Sequence, residues 1–177
     1  MKTVSDFDIH VYHVIRESVS IFLKSQAEKL DAIDMMILDI APQVHLGAAE
    51  HFVKARIMTA DINPDAEPTY VIDITENNKE VISDNKFDIV VCTEVLEHTL
   101  NPFSAITEIY RILKKDGILL LTTPFNFRIH GPLPDCWRFT EHGIKALLKD
   151  FTSVEIIAIE DEERFLMPYQ YTTVAIK

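Results

Sequence analysis

Residues 36–43 read MILDIAPQ, and this stretch decides the fold class. A short, continuous apolar run is typical of a strand that is buried on both faces of a parallel sheet. The run carries an acid, Asp39, near its end, and a turn should follow, as at the start of a nucleotide-binding fold. Such turns usually contain two or three glycines, whereas the next glycine here is Gly47. The stretch is therefore either a nucleotide site built without glycines or the remnant of one.

Strands and helices alternate along the rest of the chain. Residues 7–32 contain no Pro or Gly and place apolar side chains at helical spacing, which predicts an amphipathic helix. Further helices are predicted at 47–53, at 101–117 and at 140–150. Asn101 is the expected cap of the second of these, with Pro102 at its first position and Gly117 after its end. Strands are predicted at 35–40, 56–63, 69–75, 87–95, 118–124, 154–160 and 171–177.

The last two strands are separated by about ten polar or turn-forming residues. That is too short for a parallel crossover, so these strands should form an antiparallel hairpin. The prediction is an α/β fold: a Rossmann-like, mostly parallel sheet of seven strands with a C-terminal antiparallel hairpin and helices on both faces. The 177 residues suit one domain.

Composition narrows the classes of function. The net charge of −11 argues against a nucleic-acid binder, because such proteins usually present a basic surface. No apolar run approaches the ~20 residues of a membrane span, and the N-terminus lacks the order of a signal peptide, so a cytoplasmic protein is expected. Cys92 and Cys136 form no CxxC pair, and no metal site is expected.

Acids stand at the ends of three successive predicted strands: Asp39, Asp61 and Asp73. Ligands of open α/β sheets bind at the carboxyl ends of the strands, near the point where strand order reverses. An acid after the second strand can accept two hydrogen bonds from ribose hydroxyls. The alternative is that each acid caps a helix or lies in a solvated turn.

A longer stretch, residues 87–125, carries a family resemblance. Its sequence FDIVVCTEVLEHTLNPFSAITEIYRILKKDGILLLTTPF resembles class I S-adenosylmethionine-dependent methyltransferases. More narrowly, with HGPLPDCWRFT at 130–140, it is similar to small methyltransferase-domain proteins associated with glycan metabolism. The resemblance covers roughly residues 35–177. It implies a methyltransferase-like domain there, preceded by an N-terminal helical segment, 1–34, that is a candidate lid.

The resemblance also implies S-adenosylmethionine as cofactor and a set of residues around it. Asp61, with Ile62, would hold the ribose, and Asp73 and Ile74 would flank the adenine. The first loop would be formed by Asp39, Ala41, Pro42 and Gln43, and the underside of the cofactor would be lined by Thr93, Glu94 and Val95. The departure is the first loop, where the family usually has glycines. The alternatives are a variant loop that binds the cofactor and a decayed loop that does not.

Methyl transfer to a hydroxyl requires alignment and a base. His130 is the preferred candidate and His98 the second; each could instead be structural, His130 in a turn and His98 at a helix end. Glu97 is expected to be solvated or paired with a loop donor. His10 and His13 are expected to be surface residues.

The acceptor should be recognised by residues 126–140, by the first helix or by a second subunit, so a homodimer is a further expectation. Tyr12, Asp135, Trp137 and Arg138 are the candidate substrate-binding residues. Asp135 and Arg138 could instead form an ion pair that shapes the loop, and Trp137 could be a packing residue.

The expected function is an S-adenosylmethionine-dependent methyltransferase that acts on a small molecule or glycan precursor, with oxygen as the expected methylated atom. Methylation of nitrogen or carbon stays open. The alternative from another class is a catalytically inactive protein that keeps the fold as a binding or scaffold partner. A nicotinamide dehydrogenase is disfavoured, because no GxGxxG follows the first strand.

Overall fold

The computed structural model describes residues 3–42 and 45–177 and begins with a long helix, α1, at Asp6–Leu30. Ser5 caps this helix: its hydroxyl accepts a hydrogen bond from the Asp8 backbone N–H. Asp6 and Asp8 lie in the first turn, where their negative charges interact favourably with the helix dipole. The predicted first helix is thus present.

Seven strands and two shorter helices follow. The strands are β1 (Met36–Ile40), β2 (Arg56–Asp61), β3 (Tyr70–Val71), β4 (Phe87–Thr93), β5 (Leu113–Pro124), β6 (Ser153–Ile159) and β7 (Gln170–Ile176). The helices are α2 (Pro102–Ile112) and α3 (Glu141–Leu147), and three short 3₁₀ turns lie at Gly47–Glu50, Pro64–Ala66 and Leu96–His98.

The strands form one sheet in the order β3-β2-β1-β4-β5-β7-β6. The first five pair in parallel, and β7 pairs antiparallel with both β5 and β6. This arrangement confirms the predicted seven-stranded, mostly parallel sheet with a C-terminal antiparallel hairpin. Strand order reverses between β1 and β4, where a ligand site is expected.

Helices cover both faces of the sheet. On one face, Val19, Phe22 and Leu23 of α1 pack against Ile37, Ile89 and Leu120 of the central strands. On the other face, α2 and α3 pack against the larger part of the core, with Ile109 and Ile144 completely buried. The apolar stripe of α1 is therefore used in packing on the sheet. No helix among the described residues is both long and apolar enough to cross a membrane.

Several predicted elements differ in extent. The helix predicted at 101–117 ends at Ile112, because the backbone N–H groups of Asn85 and Lys86 bond the carbonyls of Arg111 and Ile112. Strand β5 starts directly afterwards, and its register against β4 shifts between Phe87 and Ile89. The predicted third strand shortens to Tyr70–Val71, and the predicted helix at 47–53 is one 3₁₀ turn.

Candidate functional site

A cavity of about 690 Å³ opens at the carboxyl ends of the strands, at the point where strand order reverses. Most of the predicted cofactor residues line it: Ala41, Asp61, Ile62, Asp73, Ile74, Glu94 and Val95. Pro42, which follows Ala41 in the first loop, and Thr93, the last residue of β4, are not among the lining residues. Gln43 lies outside the described residues.

The first loop has a conformation that glycine usually adopts, although its residue is an alanine. Ala41 has a φ of 51°, in the left-handed region. Its backbone N–H donates to the carbonyl of Ala60, 2.7 Å away, which ties the end of β1 to β2. Alanine tolerates this region at a cost of roughly 1–2 kcal/mol. The loop therefore keeps a tight turn without glycine at its first position.

Asp39 supports this loop from below and is not among the residues that line the cavity. Its side chain is 1% exposed, and Oδ2 accepts a hydrogen bond of 2.7 Å from the Ala48 backbone N–H. Gly47, with a φ of 54°, lies against the same carboxylate: a Cβ there would be 2.2 Å from Oδ2. Burial raises the pKa of Asp39 to about 7, although the Ala48 N–H opposes this shift. The position in this loop that requires glycine is therefore Gly47, at the end of the loop.

Asp61 and Asp73 face the cavity from neighbouring strand ends. Asp61 Oδ1 accepts the Asn63 N–H at 2.8 Å, while Oδ2 has no hydrogen bond among the described residues. Asp73 lies two residues beyond β3, and its Oδ1 accepts both the N–H and the hydroxyl of Thr75, at 2.8 and 2.7 Å. Asp61 therefore keeps a free carboxylate oxygen for a ligand diol. Asp73 Oδ1 is already occupied by two hydrogen bonds from Thr75 in the turn that follows.

Glu94 lies on the opposite side of the strand-order reversal from Ala41 and also has a positive φ, 55°. Its Oε1 accepts hydrogen bonds from the Thr122 hydroxyl at 2.8 Å and the Gln170 amide at 2.6 Å. Gln170 in turn accepts a hydrogen bond from Ser18 of α1. Burial raises the pKa of Glu94. Side chains from α1, β5 and β7 thus orient one cavity carboxylate.

The two candidate histidines lie side by side, with ring centroids 4.8 Å apart. His98 lines the cavity. His130, in the loop after β5, contacts the His98 ring and is not among the lining residues. The Nδ1 of His98 is 2.9 Å from the Pro134 carbonyl, and the Nδ1 of His130 is 3.1 Å from Asp135 Oδ2. Each Nδ1 therefore faces an acceptor.

Glu97, between the two histidines, is completely buried, so the expectation of a solvated side chain is wrong. The nearest group of the loop is His130, whose Nε2 lies 3.8 Å from Glu97 Oε1. Neither carboxylate oxygen has a hydrogen-bond partner among the described residues. Its backbone carbonyl accepts hydrogen bonds from the N–H groups of Cys136 and Trp137. These bonds join the turn after β4 to the 126–140 loop.

Two of the four candidate substrate-binding residues bind each other. Arg138 and Asp135 form a bidentate ion pair, with distances of 2.5 and 2.8 Å, so the pairing considered from the sequence is present. This contact holds the pKa of Asp135 below its usual range. Trp137 donates its ring N–H to the Thr99 carbonyl at 2.8 Å and stacks on Phe139. Tyr12 is exposed on α1 and does not line the cavity.

Comparison with known proteins identifies a family to which part of the sequence is similar. A sequence profile described as "Methyltransferase domain" matches residues 26–121. The ubiquinone biosynthesis O-methyltransferase of Glaesserella parasuis serovar 5 is 53% identical over 38 residues, which cover 22% of this chain and 16% of that protein. The chain thus matches a small part of the length of this curated relative.

Solved structures share the fold at low sequence identity. An S-adenosylmethionine-dependent methyltransferase from Archaeoglobus fulgidus has a TM-score of 0.67 and 19% identity, with 92% of this chain and 94% of that chain covered. The carbon methyltransferase of CurJ has a TM-score of 0.63 and 16% identity, over 84% of this chain and 50% of that one.

Proposed function

Because the chain belongs to the methyltransferase-domain family, we propose that it methylates a hydroxyl oxygen of a small-molecule or glycan-precursor acceptor. The family match confirms the predicted class I methyltransferase domain with S-adenosylmethionine as cofactor. The sheet, with its antiparallel last strands, agrees with that class. What we propose beyond the family is the class of acceptor and the atom that is methylated.

The observation that carries the proposal is the cavity at the strand-order reversal, with acids from successive strand ends on its wall. The described residues fit the cofactor. Asp61 Oδ2 is available to a ribose diol, and the apolar side chains of Ile62 and Ile74 suit the faces of an adenine ring. Ala41 and Glu94 border the remaining end, where a negative carboxylate favours a positively charged sulfonium.

S-adenosylmethionine supplies a methyl group that forms a bond to the acceptor oxygen as the carbon–sulfur bond breaks and its electron pair stays on sulfur. The protein must therefore align the acceptor, exclude water and remove the hydroxyl proton. His98 is the candidate base that lines the cavity, and the ring of His130 contacts the ring of His98 edge to face. We place the acceptor beside them, under Pro132 and Pro134 of the loop.

Oxygen is the proposed atom because the site offers histidines for a weakly acidic hydroxyl, which requires assistance in losing its proton. The Glaesserella relative is also an O-methyltransferase by name, although the match to it is short. Arg138 is engaged by Asp135, so recognition of an anionic acceptor would require this pair to open. The N-terminal segment, 1–34, and a second subunit are further proposed contributors to the acceptor side.

Calorimetric titration of the purified chain with S-adenosylmethionine and S-adenosylhomocysteine tests the cofactor site. We expect micromolar affinity, weakened at least about tenfold by Asp61→Ala, because charged hydrogen bonds to the ribose contribute roughly 1.5–3 kcal/mol. Asp65→Ala is the matched control: it removes another acid from the cavity wall, on the 3₁₀ turn after β2, and should leave the affinity nearly unchanged.

Failure of both ligands to bind folded protein would contradict the proposal and favour the inactive binding or scaffold alternative. If the cofactor binds, formation of S-adenosylhomocysteine is measured with panels of hydroxyl, amine and activated-carbon acceptors. Turnover confined to the hydroxyl panel is the expected result. Turnover confined to amines or to carbon acids would refute oxygen as the acceptor atom.

A further inference from the structure

We propose that Glu97, His98 and His130 bind a divalent transition-metal cation at the rim of the cavity. The sequence predicted no metal site, since it lacks paired cysteines. The donors found in the structure are instead a carboxylate and two imidazoles, from the turn after β4 and the loop after β5. A site of this kind has no fixed sequence spacing, because its third member comes from a distant segment.

The buried carboxylate of Glu97 is the first observation. The residue is 0% exposed, and both oxygens lack a hydrogen-bond partner among the described residues. Buried carboxylates are almost always hydrogen-bonded, ion-paired or bound to a metal, because an unpaired buried charge is strongly unfavourable. The described residues thus leave both oxygens of this buried side chain without a hydrogen bond, so the carboxylate is available to a metal.

The second observation is the convergence of donor atoms. Glu97 Oε1 lies 3.7 Å from His98 Nε2 and 3.8 Å from His130 Nε2. The three residues each offer one donor atom that lies within 4.8 Å of the other two. These separations are too long for hydrogen bonds. Ligands at about 2.1 Å from a shared tetrahedral cation stand about 3.4 Å apart, so modest side-chain rotations would close the site.

The hydrogen bonds of the rings determine which nitrogens are free. The Nδ1 of His98 faces the Pro134 carbonyl at 2.9 Å, which can only accept, so Nδ1 carries the proton in the neutral ring. The Nδ1 of His130 faces the Asp135 carboxylate at 3.1 Å and the Arg128 carbonyl at 3.3 Å, with the same consequence. Both Nε2 lone pairs thus remain available toward Glu97.

The arrangement around His130 is that of a carboxylate–histidine–metal triad. Metal-binding histidines usually donate the other ring N–H to a carboxylate or carbonyl, which orients the ring and increases its basicity. Arg138 holds Asp135 through two charged hydrogen bonds, so the carboxylate that orients His130 is itself fixed. This gives the Asp135–Arg138 pair a positioning role at the site.

The donor set favours a borderline cation. Imidazole ligands suit Zn²⁺, Fe²⁺, Ni²⁺ or Cu²⁺, whereas Ca²⁺ takes oxygen ligands. Three protein ligands leave coordination positions for other groups, and His98 places the site against the cavity. On the basis of the proposed function, the free positions bind the acceptor hydroxyl, lower its pKa and let its proton pass to solvent. The histidines then assist the loss of the hydroxyl proton through the cation that they hold.

The test uses the full chain after treatment with a chelator and dialysis. Titration with Zn²⁺ by calorimetry, and with Co²⁺ by visible absorption, should show one site per chain. We expect Glu97→Gln and His130→Gln each to weaken binding at least about tenfold, a loss already typical of removing a supporting group. His142→Gln, an exposed histidine on α3, is the matched control and should bind like the wild type.

A second readout protects against misfolded variants. Zn²⁺ should raise the thermal midpoint of the wild type and of His142→Gln, but not of Glu97→Gln, because a ligand stabilises only the state that binds it. Glu97→Gln keeps the size and shape of a buried side chain that has no hydrogen-bond partner among the described residues, so the metal-free variant should fold about as well as the wild type.

Equal Zn²⁺ binding by all variants, or no site in the wild type, would overturn the inference. The same preparations are titrated with S-adenosylmethionine. If the cofactor binds and the metal does not, the metal site alone is refuted. If the metal binds and the cofactor does not, the proposed methyltransferase activity fails while the metal site stands.

Discussion

Replacing Gly47 by alanine should destabilise the protein through the buried carboxylate of Asp39. Gly47 has a φ of 54°, and a Cβ at this position would lie 2.2 Å from Asp39 Oδ2 and 3.1 Å from the Pro42 Cβ. The nearer contact is far inside normal van der Waals separation. Because Asp39 is buried and bonds the Ala48 N–H through that same oxygen, the carboxylate must move and the bond must lengthen or break.

The expected decrease in the free energy of unfolding has two parts. Alanine in the left-handed region costs roughly 1–2 kcal/mol. Disturbing a charged, buried hydrogen bond adds about 1.5–3 kcal/mol. The sum, about 2.5–5 kcal/mol, corresponds to a fall of the thermal midpoint by roughly 10 °C for a domain of this size. Affinity for S-adenosylmethionine should fall as well, because the same contact supports the loop that borders the cavity.

Urea and thermal unfolding measure the loss, and Gly143→Ala is the matched control. At Gly143 the new methyl group would meet the Thr140 hydroxyl at an ordinary 3.7 Å, so we expect no loss and a small gain in helix stability. In an Asp39→Ala background, Gly47→Ala should cost only the conformational part, about 1–2 kcal/mol. A loss below about 1 kcal/mol in the wild type, or strictly additive losses, would refute this account of the loop.

Two further predictions concern buried polar groups. Burial raises the pKa of Asp39 to about 7 from 3.8, so the folded state binds this proton more tightly and stability falls as pH rises from about 4 to 7. Asp39→Asn should remove this loss, up to a few kcal/mol by pH 8, in urea unfolding measured from pH 4 to 8; unchanged pH dependence would contradict it. Thr123→Val should leave the stability unchanged or raise it by about 1 kcal/mol, because the buried Thr123 hydroxyl has no hydrogen-bond partner among the described residues. Thr122→Val should instead lower the stability by a similar amount, because it removes the hydrogen bond from the Thr122 hydroxyl to Glu94. The reverse order of these two threonine variants in unfolding experiments would count against the hydrogen-bond assignment.

The sheet was predictable because each strand carries its own signal. Alternation of apolar runs with amphipathic helices leaves few topologies, and the short, polar link before the last strand requires an antiparallel pair. The boundary at Ile112 was not predictable. The sequence after it favours continued helix, but the Asn85 and Lys86 N–H groups take the last carbonyls, and Leu113 pairs with Phe87. These contacts join segments far apart in sequence.

The cavity wall proposed to bind the cofactor was more predictable in position than the wall proposed to bind the acceptor. Strand ends lie together wherever parallel strands do, so Asp61 and Asp73 could be placed from strand order alone. The role of Gly47 could have been suspected, since it is the glycine nearest the first loop. The burial of Glu97 could not, because it depends on how residues 126–140 cover the turn after β4.

The two walls of the cavity are held in place by different kinds of contact. The wall proposed to bind the cofactor is built from strand ends whose positions are determined by the sheet. The acceptor side depends on the Glu97 carbonyl, which holds the Cys136 and Trp137 N–H groups, and on Asp135, which holds the His130 ring. A substitution in the loop that changes acceptor preference must therefore preserve these bonds, or it will also displace His130 from Glu97. Selection for a new acceptor should accordingly alter exposed loop positions such as Leu133 and leave Asp135 and Arg138 unchanged.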